Sequence, residues 1–262
     1  MNLDWRPPGW KSDPATVIAV VAEAGMRAKA KHRRGEPLTD ADAAALHDLA
    51  LLRQCYCTPR WVWRLAGLLL DVEPGGWAGD PFHNEWSHAR AFLAPDAWTM
   101  DGHSVKSDGF ATWPRCYEHD PCVPHTCEGD ACWSGDGPLL VNGPHRKGPR
   151  GLAGWVPLAA RAGRLRKVAA VVPADAVGWF IEHGMRCDAE VNRGRMDYDL
   201  VPGLPPITGN ERCSSLLLWD PTTRGEQIQP CLLEVKDDRG RLLRLPLRPG
   251  LGGDPKIIEV PR

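Results

Sequence analysis

Through the first third of the chain apolar residues recur at three- and four-residue steps, the spacing that gives a helix one buried face. Val17, Val21, Ala24 and Ala28 form such a face. It opens at Ser12-Asp13-Pro14, a capping side chain followed by proline, and stops at Gly35. Thr39-Asp40-Ala41-Asp42 starts a second helix with a capping-box pattern, and Leu46, Leu49 and Ala50 make its stripe. Thr58-Pro59 repeats the start signal before the apolar run Trp61 to Leu70. A helix there places Trp61, Leu65 and Leu68 or Leu69 on one side; a strand would be a continuous run turned at Pro74-Gly75-Gly76. The cap favours the helix. Asp80-Pro81 predicts a fourth helix with Phe82, Trp86, Ala89 and Leu93 facing a core.

From Pro95 to Gly151 the periodicity fades into Gly, Pro, Asp and His, and a loop region of that length needs something other than a hydrophobic core to order it. Beyond it, Arg166 to Val172 reads as a strand and Ala174 to His183 as a short helix stopped by Gly184. Cys213 to Trp219, Pro230 to Lys236 and Arg241 to Leu247 read as further strands, the last two joined by a turn at Asp237 to Gly240. Lys256 to Val260 is placed to close the edge of an antiparallel meander. The predicted fold class is α+β: a helical region over 1–94, a Cys/His-rich loop region over 95–151, and a mixed region over 152–262 ending in a sheet.

A chain of 262 residues can bury a core of its own, and 43% hydrophobic with 25% charged residues is the composition of an ordinary globular protein. A formal net charge of −1 gives no overall footprint for nucleic acid, and the basic end of the first helix, Arg27 to Arg34, reads as a solvated helix C-terminus. No apolar run is long enough to span a membrane, and Met1 to Trp10 lacks the pattern of a secretory signal, so a cytoplasmic location is expected. That location and an odd count of nine cysteines both argue against a disulfide framework. Cys213 and Cys231, within apolar strands, read as small buried hydrophobes.

The densest chemistry lies in Cys116, His119, Cys122, His125, Cys127 and Cys132. Thiolate and imidazole are the ligands tetrahedral zinc selects, and short spacers broken by Pro121, Pro124 and Gly129 let one loop wrap an ion. Zinc is the expected cofactor, with an iron-sulfur cluster on the four cysteines as the alternative. The leading functional expectation is a zinc-stabilised protein acting through a protein partner, with no assignable reaction.

Two short elements carry a second reading. His83-Asn84-Glu85 and Pro121-Cys122 to Cys127 resemble the H-x-E and P-C-x-x-C elements of the zinc-dependent nucleobase deaminases. The resemblance implies His83, Cys122 and Cys127 as ligands and Glu85 as the proton shuttle. The spacer between the cysteines is four residues rather than two, and neither flank has the apolar strand-then-helix pattern of that family. A third reading takes Asp220 with Glu234-Val235-Lys236 as the magnesium ligands and lysine of a nuclease; the plain reading of that stretch is the solvated face of a hairpin.

Overall fold

The computed structural model describes residues 14–52, 57–82, 88–94, 137–143, 145, 151–174, 187–196, 198, 213–223 and 229–250. Helix α1 (Pro14–Arg33) ends where Gly35 takes a φ of 71°, and α2 (Asp40–Leu52) packs back against it. Thr39 Oγ1 accepts from Asp42 N at 3.2 Å while Thr39 N donates to Asp42 Oδ2 at 3.0 Å, a reciprocal capping box. The buried line is Ile18, Gly25 and Ala28 against Leu49 and Leu52. It sits one residue round from the expected Val17, and Ala50 is exposed, because the helices touch closely at Gly25: a Cβ there would lie 2.4 Å from Leu49 Cβ.

Helix α3 (Arg60–Leu70) forms as expected, but Thr58 does not cap it. Its buried face, including Trp61, Val62, Leu65 and Ala66, covers one side of the sheet, while Leu68 is 80% exposed. Trp63 stacks on Phe92 with centroids 5.5 Å apart and meets Trp77 edge-on at the same distance, which ties α3 to the segment behind it.

The helix expected from Asp80-Pro81 is replaced by a turn in which Asp80 Oδ1 accepts from Phe82 N at 3.0 Å, and His88–Ala91 makes a single 3₁₀ turn. The intended apolar face is split between two cores. Phe82 packs with the residues of α4, Ala89 and Leu93 with those of α3. Residue 86 lies outside the described residues.

Among the described residues six strands form one sheet: β1 (Leu139–Val141), β2 (Val168–Pro173), β3 (Ala189–Arg195), β4 (Cys213–Trp219), β5 (Cys231–Lys236) and β6 (Leu242–Pro249), in the order β1-β2-β4-β3-β6-β5. Among these six strands β1 and β2 run parallel, joined by helix α4 (Leu152–Ala162), and the other strand pairs are antiparallel, so the fold is α+β with a mostly antiparallel sheet. The meander survives only in the β5–β6 hairpin, turned at Gly240 with φ 74°. Elsewhere β4 is inserted in reverse between β2 and β3. The sequence pattern missed β1, β3 and α4; Pro157 inside α4 removes an amide donor and hides its helical signature. The predicted helix at 174–183 and strand at 256–260 fall almost wholly outside the described residues.

Strand β2 is buried along its whole length because it has a helix on each face. Val168, Ala170 and Val172 meet α4 residues such as Trp155 and Ala159; Ala169 and Val171 belong to the core beneath α3. No helix among the described residues is long and apolar enough to cross a membrane.

Candidate functional site

Two isolated parallel bridges, Gly79↔Leu139 and Trp77↔Leu93, extend the parallel part of the sheet beyond β1. The order there is Leu93, then residues 77–79, then β1, then β2. After residues 77–79 the chain moves outward to Leu93, and after β1 it moves the opposite way through α4 to β2. Connections that part in this manner mark a topological switch point, the position at which open α/β sheets bind ligands.

Buried polar side chains collect at this edge. Asp80 directly follows residues 77–79 and is 3% exposed; Asn142 directly follows β1 and is 4% exposed. Asn142 Nδ2 donates to Thr58 Oγ1 at 2.9 Å, so the threonine that would have capped α3 instead orients an amide beside the switch point. The loop after Asn142 is pressed against α4. A Cβ at Gly143 would stand 2.5 Å from Trp155 Nε1, so glycine is what lets the backbone lie on the indole.

His145, half-buried, approaches Val171 O with Nε2 at 3.3 Å, beyond the last register pair Val141↔Ala170. Its ring meets that of Tyr198 edge-on with centroids 6.2 Å apart. Because β4 is reversed, its first residues lie at the carboxyl end of β2, and the Tyr198 hydroxyl is 3.2 Å from Ser214 Oγ there. Residues from five separate parts of the chain thus line one edge.

The Cys/His cluster, Cys116, His119, Cys122, His125, Cys127 and Cys132, lies outside the described residues, as do His83 and Glu85. Among the described residues no three His, Cys, Asp or Glu side chains gather as a metal site. The nuclease set is not brought together. Asp220 follows β4 at the end opposite the switch point and closes a turn by accepting from Thr222 N at 2.9 Å. Glu234 lies on the edge strand β5, three strands away, a lateral separation of about 14 Å. There it accepts from Arg244 Nε at 3.1 Å, and Lys236 is exposed beside it, the solvated hairpin face of the plain reading. Cys213 and Cys231 are exposed rather than buried, each being the first residue of its strand where packing has not yet closed.

Sequence reasoning took Asp80 as a helix start and singled out none of Asn142, His145 and Tyr198. A three-residue strand such as β1 carries too little pattern to mark the residue after it. No known protein family, curated protein or solved structure matches this chain.

Proposed function

We propose that the switch point between Asp80 and Asn142 binds a nucleoside-type cofactor that has no phosphate chain, and that the protein is a group-transfer enzyme. The observation carrying this reading is the pair of buried polar side chains bracketing the point where the strand connections diverge. Phosphate sites of this geometry use a glycine-rich turn whose amides face the anion. Here the turn is Gly79-Asp80-Pro81-Phe82: the proline has no amide hydrogen, and the Phe82 amide already donates to the Asp80 carboxylate at 3.0 Å, so neither is left for an anion. A carboxylate favours hydroxyl donors and cationic groups.

S-adenosylmethionine supplies both, in a ribose diol, an ammonium and a sulfonium. When bound it would supply an electrophilic methyl group, with a neutral thioether as the leaving group and the acceptor's proton passing to base or water. Asn142, whose Nδ2 donates to Thr58 Oγ1, is the second polar side chain at this point. The test is calorimetric titration with S-adenosylmethionine and S-adenosylhomocysteine against ATP and NAD. Binding of the first two alone, weakened at least about tenfold by Asp80→Asn, supports the reading. Tighter binding of the phosphate-bearing nucleotides overturns it.

A second proposal rests on the ligand chemistry of the sequence: zinc held by four of Cys116, His119, Cys122, His125, Cys127 and Cys132 in a structural site that supports a protein partner. In the deaminase variant of that reading, His83 joins Cys122 and Cys127, and Glu85 moves the proton. Elemental analysis of the purified protein with single Cys→Ser changes tests both. One zinc lost on changing Cys116 or Cys132 favours the closed site. One zinc retained there but lost with His83→Ala favours the open, hydrolytic one. No zinc or iron at all overturns both.

A further inference from the structure

Away from Asp80 and Asn142, the last turns of α3 and the chain that follows enclose a hollow of about 240 Å³. It lies at the opposite end of this part of the sheet: Lys167, the residue before β2, donates to Leu70 O at the end of α3. Trp63, Trp77 and Phe92, all buried, make its floor, and Leu68, Asp71 and Glu73 stand exposed on its rim. Two features set what it can hold. Trp63 is wholly buried, and its Nε1 is the single buried side-chain polar atom among the described residues without a hydrogen-bond partner. An indole N–H shut away from water normally finds an acceptor, so one that lines a hollow marks a place for one. The rim carries the other feature. Neither Asp71 nor Glu73 has a side-chain partner among the described residues, whereas Arg64, which also lines the hollow, is taken by Asp238 at 2.7 Å. Asp71 is also the C-cap of α3, so the negative end of that helix dipole favours the same sign of ligand charge.

We propose that this hollow binds the N-terminal residue of a peptide, with an aliphatic side chain on the aromatic floor, the carbonyl oxygen taking the Trp63 N–H, and the ammonium beside Asp71 and Glu73. Such a residue carries an apolar body, an acceptor and a cation together. A free amino acid is disfavoured, because its carboxylate would face the same two acids. The size agrees: drug-sized sites run from about 300 to 1,000 Å³, and this hollow falls below them. Because the indole N–H is closed to water, entry needs a rim side chain to swing, and Leu68, 80% exposed, can do so. None of this depends on the cofactor reading.

Leucinamide is the minimal probe, followed on the full chain by calorimetry and by the indole N–H resonances in ¹H–¹⁵N spectra. The Trp63 peak is assigned from Trp63→Phe and from its nuclear Overhauser contacts to Phe92, on which the ring stacks. Leucinamide should bind and move that peak. Isopentylamine, which lacks the carbonyl, should bind severalfold more weakly and leave the peak in place; 4-methylpentanamide, which lacks the ammonium, should also bind more weakly. Asp71→Asn combined with Glu73→Gln should weaken leucinamide about tenfold and leave 4-methylpentanamide unaffected. Asparagine tolerates the φ of 51° at residue 71, so the helix end is kept. Leu-Gly-Gly should bind at least as well as leucinamide, and leucine worse. No binding of leucinamide at about 10 mM overturns the proposal. So does bound leucinamide that leaves the Trp63 peak unmoved or is indifferent to the double variant. A Leu-Gly-Gly that fails to bind where leucinamide does overturns the peptide assignment.

Discussion

Asp238 caps a helix far behind it in the chain: its Oδ2 accepts from Trp61 N, 177 residues earlier, at 3.3 Å, and its Oδ1 accepts from Arg64 Nη2 at 2.7 Å. The β5–β6 turn is held for this by Asp237, whose carboxylate accepts from Arg239 N and Arg241 N at 2.9 and 2.8 Å. A carboxylate over the first turn of α3 also interacts favourably with the positive end of the helix dipole. The cap links the far edge of the sheet to the helix that covers its face.

Asp238→Ala should therefore cost about 1 kcal/mol in urea denaturation, the usual value of an N-cap. Asp238→Asn, which keeps an acceptor for Trp61 N, should lose less. Combined with Arg64→Ala in a double-mutant cycle, the coupling should be small, because Arg64 is half exposed. A coupling as large as the whole loss would mean that the ion pair, not the cap, holds the turn.

The same residues explain why some of the architecture was legible in sequence and the site was not. Thr58-Pro59 correctly announced α3, yet the threonine serves Asn142 and the cap arrives from Asp238. Start signals mark where a helix begins without saying which side chain satisfies its amides. The strands β4, β5 and β6 could be read because each has an apolar run or alternation punctuated by turns. Thr58, Asp80, Asn142, Tyr198 and Ser214 come to one edge of the sheet although nothing local in the chain relates them; only the crossover through α4 and the reversal of β4 do.

Asp42 makes the α1–α2 hairpin sensitive to acid. Hydrogen bonds from Thr39 N above all, then from Lys31 and the Thr39 hydroxyl, lower its pKa from 3.8 to about 2. A carboxylate depressed in the folded state stabilises it above the ordinary value, and that stabilisation is lost as pH falls from about 4 through 2. Urea midpoints followed by helical circular dichroism should drop across this window in the wild type. In Asp42→Asn they should start lower at neutral pH and change less across the window. Parallel curves for the two proteins would remove Asp42 as the source.

Gly143→Ala tests how tightly the loop beside the switch point is clamped. The added methyl would stand 2.5 to 2.7 Å from three indole atoms of Trp155, a buried ring with no room to retreat. Overpacking of this kind costs about 1–3 kcal/mol. Since the loop carries Asn142, the variant should also weaken S-adenosylhomocysteine at temperatures where it remains folded. Trp155→Phe should partly restore stability to Gly143→Ala by giving back volume. Wild-type stability in Gly143→Ala would show that the loop can lift from α4 without cost.

Cys187 offers a probe of the opposite end of the sheet. Burial, with Glu190 nearby, pushes its thiol up to about 12, so almost none is thiolate at neutral pH. Gly250 N donates to Asp188 O at 2.9 Å, and a Cβ on Gly250 would fall 1.7 Å from Cys187 O. Iodoacetamide followed by peptide mapping should label exposed Cys213 and Cys231 rapidly and Cys187 only at the rate of local opening. Gly250→Ala cannot keep this approach, so β6 must shift from β3 and Cys187 should be labelled at least about tenfold faster at a denaturant concentration where the rest of the chain is still folded. If Cys187 in the wild type is labelled as fast as Cys213, the seal is not closed in solution; if Gly250→Ala leaves the rate unchanged, the contact does not maintain it.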